Sequence, residues 1–317
     1  MQNKWKLLWQ KETEDSAVLY RAYGTEPVVE IPEKIGDYRI TAIGAYCFSD
    51  RNRVPENGIQ VFSAQDPQAG IRELSGDFIE KVVLPPSIRR IDNAAFFNCR
   101  KLRSIEIGNE MLTIGSDVFN NCIRLKETVV RGGVREPSGV KHILDRISWD
   151  MKVRFEDAAV LYPEYYESYD TIAPAHIFGL SIEGEGFRAR QCFRGDTVDF
   201  PAYDEIFGKA CAEESVETLA DMSLNRLVSP IDLTEEKKKE YERYLRENDR
   251  KILEVLVRKK ERDRLEFVCK NRYTDVRALD MALEQAVSEN WSEGAVSLLE
   301  WKQKYYGVNK KSRYDFG

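Results

Sequence analysis

Histidine is nearly absent from these 317 residues, with only His142 and His176, and none of the six cysteines sits in a Cys-x-x-Cys pair. Zinc centres are built from closely spaced Cys and His ligands, so no metal site is expected. Long apolar runs are missing too. Nothing approaches the roughly 20 residues that cross a bilayer, and "MQNKWKLLWQKETED" offers only Leu7-Leu8-Trp9 before charge resumes. A secretory leader needs an apolar stretch of about 7 to 15 residues. The chain as given is therefore expected in the cytoplasm, or at the cell surface if a leader has been removed, with no membrane insertion. A basic excess is lacking as well: 48 Lys and Arg stand against 54 Asp and Glu, a net charge of -6. General nucleic-acid binding needs a basic field that displaces counterions from phosphate, and is excluded on this ground. Catalytic signatures are equally scarce. No Gly-x-Ser-x-Gly elbow, Walker loop or His-Glu-x-x-His occurs, and Asp315-Phe316-Gly317 lacks the catalytic loop and lysine strand of a kinase.

What is present is ordinary globular material, 42% hydrophobic and 11% aromatic, enough for two domains. The cysteines, Cys47, Cys99, Cys122, Cys192, Cys211 and Cys269, are expected to be reduced and mostly buried. The distinctive feature is repetition. "IRRIDNAAFFNCRKL" from Ile88 returns 23 residues later as "MLTIGSDVFNNCIRL" from Met111. The same spacing of 23 joins Ile79, Leu102 and Leu125; Val82, Ile105 and Thr128; Leu84, Ile107 and Val130; and Ile88, Met111 and Val134. Going backwards, Ile59 and Val61 stand 23 before Val82 and Leu84, which suggests a degenerate earlier unit. Each unit holds a short alternating stretch such as "LRSIEI", the period of a half-buried strand. A unit this short cannot bury its apolar face alone, so neighbouring units must stack around a shared core.

These units resemble the leucine-rich repeats of the BspA-like (Treponema-type) class. The resemblance rests on "VVEIPEKIGDYRITAIGAYCF" at 28 to 48, "KVVLPPSIRRIDNAAFFNC" at 81 to 99 and "IEIGNEMLTIGSDVFNNC" at 105 to 122. An Ile-(Gly/Asp)-x-x-x-Phe core recurs at Ile43 to Phe48, Ile91 to Phe96 and Ile114 to Phe119, and the Asn ladder of ordinary leucine-rich repeats is missing. It covers residues 16 to 136 and implies a β-rich solenoid that presents an extended surface to other proteins. The class is linked to bacterial surface attachment. "WKLLWQ" and "SAVLYRAY" read as a hairpin capping the open end, and Pro137, 23 beyond Ile114, as the end of the array.

Beyond it, "VKHILDRI" suggests a helix and "HIFGLSIEGEGFRARQCF" two strands around Gly184 and Gly186. Tyr162, Tyr165, Tyr166 and Tyr169 fall at helical spacing after Pro163. Glu183 and Glu185 are expected as solvent-facing acids of a hairpin. From 201 the period is helical, and an offset of 31 pairs Ile252 with Leu283, Val255 with Ala286, Leu256 with Val287, Leu265 with Val296 and Val268 with Leu299. Short helix pairs at this spacing resemble degenerate ankyrin repeats without the Thr-Pro-Leu-His signature. The run "EEKKKEYERYLRENDRK" from Glu235 reads as a solvated helix face laced with ion pairs.

The expected fold is α+β, with a leucine-rich-repeat β-solenoid of about 23-residue units over 1–137, a mixed connecting segment over 138–200, and a helical, ankyrin-like domain over 201–317. If Val82, Leu84, Ile105 and Ile107 point inward, then Lys81, Val83, Ser104, Glu106, Glu127 and Val129 form an outward row, extended by Gly58 and Gln60. That row is the expected partner-binding surface. Phe48, Phe96 and Phe119 should stack inside, with Cys99 and Cys122 side by side and reduced. In the helical half, Ala282, Leu283, Ala286, Val296, Leu298 and Leu299 should be interior. Trp301, Tyr305 and Tyr306, past the last repeat, serve as a cap or as a partner anchor. The function implied is that of a non-catalytic scaffold binding one or more proteins without a cofactor. A surface adhesin is the alternative, and a hydrolase hidden in the middle segment a remoter one.

Overall fold

The computed structural model describes residues 6–63, 70–110, 112–172 and 177–307; Met111 and His176 lie outside them. The chain divides into two compact units, 1–206 and 207–317.

The first unit is a stack of coils. Strands β1 (Lys6–Lys11) and β2 (Ser16–Gly24) form an antiparallel hairpin. The first coil opens with β3 (Val28–Glu30) and returns through β4 (Lys34–Ile35) and β5 (Tyr38–Ile43). An excursion follows, carrying β6 (Gln60–Ser63), paired to β1, and β7 (Arg72–Glu73), paired to β2. Regular coils then supply β8 (Lys81–Val83) with β9 (Arg90–Ile91), and β10 (Ser104–Gly108) with β11 (Thr113–Ile114). Strand β12 (Glu127–Arg131) leads into helix α1 (Val140–Leu144), and β13 (Met151–Arg154) with β14 (Ala159–Tyr162) completes the stack.

Two sheets wall the core. One runs β14-β13-β12-β10-β8-β3, parallel throughout except for the final β13–β14 pair. The other runs β11-β9-β5-β2-β1-β6. Period-2 alternation sends Val29, Val82, Ile105, Thr128 and Val153, which sit side by side in register, to the interior. Between the sheets Phe48 stacks on Phe96 at 5.0 Å and Phe96 on Phe119 at 5.6 Å, forming the expected spine. Cys99 and Cys122 are buried free thiols whose Sγ atoms point at the carbonyls of Phe48 and Phe96, 3.2 and 3.0 Å away. A short polar ladder does climb the outside: Asn98 donates to Asp50 at 3.0 Å and accepts from Asn121 at 2.7 Å. Both asparagines occupy left-handed backbone (φ 64° and 63°), which asparagine tolerates well.

Three expectations are revised here. Ile59 and Val61 do not belong to a coil beside β8. The strand flanking β8 is β3, with Val29 opposite Val82, while β6 runs antiparallel to β1 with Val61 exposed. The 23-residue match back to Val61 is a coincidence of spacing within the excursion. Nor does the array end cleanly at Pro137. That proline and α1 replace the next short strand, with Arg146 donating to the Ile114 carbonyl at 3.3 Å, but the other sheet continues through β13, where Thr128 lies opposite Val153. Finally, the tyrosines after Pro163 are not helical. Tyr162 ends β14, and Tyr166 and Tyr169 fall in β15 (Tyr166–Ile172), which pairs with β16 (Ile177–Glu183) as a ribbon of two strands. Helical spacing of aromatics also fits a strand broken by a turn, and cross-strand pairing decided the matter.

After β16 the second expected strand is instead the helical turn α2 (Gly186–Ala189), followed by the minimal hairpin of β17 (Phe193–Arg194) and β18 (Thr197–Val198) and by α3 (Phe200–Glu205). Arg190, buried at the centre of this region, donates to the carbonyls of Ile147 (2.9 Å), Trp149 (2.7 Å) and Gly186 (2.9 Å), and to that of Pro163. Burial lowers its pKa.

The second unit is helical: α4 (Phe207–Glu213), α5 (Val216–Val228), α6 (Glu235–Glu247), α7 (Asp249–Arg258), α8 (Arg262–Lys270), α9 (Val276–Ser288) and α10 (Ser292–Tyr306). Side-chain caps start three of them. Ser215 accepts from the Thr218 amide (3.1 Å), Thr234 from Lys237 (3.3 Å) and Asp275 from Ala278 (2.7 Å). The charged run is α6, which buries Tyr241 and Leu245 and carries the expected local pairs, including Arg246–Glu242 at 3.3 Å. Helix α9 packs on α7, and α10 on α8 and α9.

Candidate functional site

The outward side of the β14–β3 sheet is the surface that the repeat builds. Register places Val28, Lys81, Ser104, Glu127 and Lys152 in one row, and Glu30, Val83, Glu106, Val129 and Arg154 in the next. Six of the eight expected contact residues, Lys81, Val83, Ser104, Glu106, Glu127 and Val129, are thus brought together. Ser104 is buried beneath its neighbours and the other five are half-buried. Gly58 and Gln60 are exposed but lie on the excursion, and Val28 and Glu30 take the positions given to them. The signal that could have shown this was already in the chain: "VVEIP" at 28 to 32 parallels "VVLPP" at 82 to 86.

Parallel stacking sets like positions about 4.8 Å apart, so unlike charges on successive coils meet. Glu106 accepts from Lys81 Nζ at 3.2 Å and from Arg131 Nε at 2.8 Å. Glu127 accepts from Ser104 Oγ at 3.2 Å and from Arg154 Nε at 2.9 Å. Burial pushes the Glu106 carboxyl up, but the hydrogen bonds and charges of Arg131 and Lys81 outweigh it and hold it below the usual carboxylate range. Half-exposed pairs of this kind contribute little stability, on the order of 1 kcal/mol or less. They surround Val83 and Val129 with alternating charge.

The two acids of the middle segment are not brought together. Glu183 is exposed at the end of β16, whereas Glu185 is buried and bonded to Arg188 at 3.3 Å. The turn at Gly184 (φ 88°) separates them, so the expectation of two solvent-facing acids fails at Glu185. No group of three or more His, Cys, Asp and Glu suited to a metal occurs among the described residues, and none of their helices is long and apolar enough to cross a membrane.

The helical residues also sort differently from expectation. Ala282, Ala286 and Leu298 are buried and Leu283 is half-buried, but Val296 and Leu299 are exposed. Trp301 is buried and Tyr305 and Tyr306 half-buried, their hydroxyls donating to Glu266 (3.0 Å) and to the Thr274 carbonyl (2.9 Å). These aromatics close the end of the unit, as a cap would.

The parallel coils of about 23 residues, with their ion-laced sheet face, make this part of the chain a β-solenoid. Residues 73–138 match the family model described as BspA type Leucine rich repeat region (6 copies). Among curated proteins and solved structures, nothing matches the chain.

Proposed function

We propose that this chain is a non-catalytic scaffold whose outward sheet face, centred on Val83, Glu106 and Val129, seats a protein partner. Repeat solenoids commonly bind other proteins through such extended surfaces. The observation that carries the reading is the alignment of five parallel strands into rows in which Lys81, Glu106, Glu127, Arg131 and Arg154 pair laterally, leaving apolar Val28, Val83 and Val129 between them. A partner seated over Val83, Glu106 and Val129 meets charges already paired, which lowers the desolvation penalty of a polar interface. The helical unit, a second and different kind of repeat, supports bridging of two partners; its ankyrin-like character is part of this proposal. An adhesin would need the array alone.

The test is affinity recovery from a native extract with the full chain and with Val83→Arg/Val129→Arg, whose circular dichroism should match. Proteins recovered by the wild type and lost from the variant support the face. Identical recovery by both removes it. Binding of the wild type to intact cells or matrix, with nothing recovered from cytosol, favours the adhesin.

A further inference from the structure

The helical unit contains the same hairpin twice, and one face that is covered in the first copy is bare in the second among the described residues. The turns of the two hairpins superpose at a spacing of 30. Glu261 N donates to Leu256 O at 2.9 Å and Trp291 N to Ala286 O at 2.8 Å, and Lys260 and Asn290 share a left-handed φ of 56°. At that spacing Leu253, Val257 and Cys269 correspond to Leu283, Val287 and Leu299. The first three are 1%, 0% and 0% exposed, under α9 and α10. Of the second three, Leu283 is half-buried while Val287 and Leu299 are 63% and 51% exposed, with Val296 beside them at 55%.

We propose that this open α9–α10 face is a second docking surface, and that its occupant is an amphipathic helix of another protein with lysine or arginine flanking its apolar seam. The repeat itself says what covers such a face: in the preceding copy it is a helix pair laid along the same groove. Charge says which kind. The exposed carboxylates Glu284 and Glu300 adjoin Leu283 and Leu299 in sequence and border the stripe, while Glu293 is turned to Arg262 of α8 at 3.6 Å. A second copy of the chain meeting face to face would set these carboxylates against each other, whereas a basic-flanked helix pairs with them. The proposal is independent of the sheet face and goes beyond it.

The experiment measures fluorescence anisotropy of the full chain with a labelled Leu/Lys amphipathic peptide of about 20 residues, long enough to sustain a helix. A peptide with the same leucine seam and glutamate for lysine is the control. Expected is saturable binding of the lysine peptide, weakened at least about tenfold by Val287→Glu/Leu299→Glu and by changing lysine to glutamate. Because the substituted side chains are exposed, the variant should melt with the wild type. Equal binding by wild type and variant overturns the proposal. So does a dimer in sedimentation that Leu299→Glu dissolves, which assigns the face to a second copy. Tenfold tighter binding after removal of residues 308–317 overturns it as well, by making the chain's own end the occupant.

Discussion

Phe96 lies fully buried between Phe48 and Phe119 and touches both neighbouring coils. Truncating such a side chain leaves a void that the sheets on either side cannot close. Phe96→Ala should cost about 3 to 5 kcal/mol, read as a fall in Tm of roughly 10 °C or more; a change within a degree or two would contradict the spine. Arg190 tests a different physics. Its guanidinium serves the carbonyls of Ile147, Trp149, Pro163 and Gly186, and Arg190→Met fills much of the volume while leaving the first three without that donor, Gly186 keeping the amide of residue 190. Each buried unsatisfied group costs about 1 to 3 kcal/mol, so this change should be at least as damaging as Phe96→Ala, measured by urea unfolding. Cys211 is the one exposed thiol of the six, and burial pushes Cys192 up to about 11 and Cys269 up to about 12. Iodoacetamide on the native protein should alkylate Cys211 first, with the other five reacting only on unfolding, as peptide mass spectrometry will show. The spine was legible residue by residue because Phe48, Phe96 and Phe119 recur in one motif. Arg190 was not legible, since its partners are carbonyls scattered from Ile147 to Gly186.

At the scale of the element, the strand face couples β8, β10 and β12 through Glu106. Its folded pKa lies below the unfolded value of about 4.3. The stabilisation is thus present above that value and is lost as pH falls through the lower folded pKa. Wild-type unfolding midpoints should drop as pH is taken below about 4, and Glu106→Gln should flatten part of that drop; an unchanged acid limb would show that the pairs do not couple. Elements also show where periodicity misleads. An offset of 31 and one of 30 both align apolar residues in "ILEVLV" and "ALDMALEQAV", but only 30 matches the hydrogen-bonded turns. A slip of one residue rotates a helix by about 100°, enough to move Val296 and Leu299 from interior to surface. The same weakness placed β6 next to β8, because a match of two apolar residues carries no pairing information.

For the whole molecule, the boundary between units falls at Ile206 and Phe207. A fragment of residues 1–206 keeps β13 and α1, whereas one ending at Pro137 strips β13 from the edge of β12 and α1 from β11. The longer fragment should remain monomeric and melt cooperatively, while the shorter should aggregate through its bare strand edge. Equal behaviour of the two in light scattering would show that residues 138–206 add nothing to the stack.

The sequence alone determined the solenoid, its period and its inward residues, because a repeated coil presents each position to the same position of the next. It also determined the helical nature of the second unit and the positions of the outward row from Lys81 to Val129. Tertiary structure decided what local pattern cannot carry. It set which strand flanks β8 across an excursion of unmatched length, and whether the tyrosines after Pro163 pair or coil. It also decided which face of the α9–α10 hairpin is left uncovered among the described residues. Each of these depends on a neighbour distant in the chain, and periodicity reports how a residue is oriented about its own axis, not what stands opposite it.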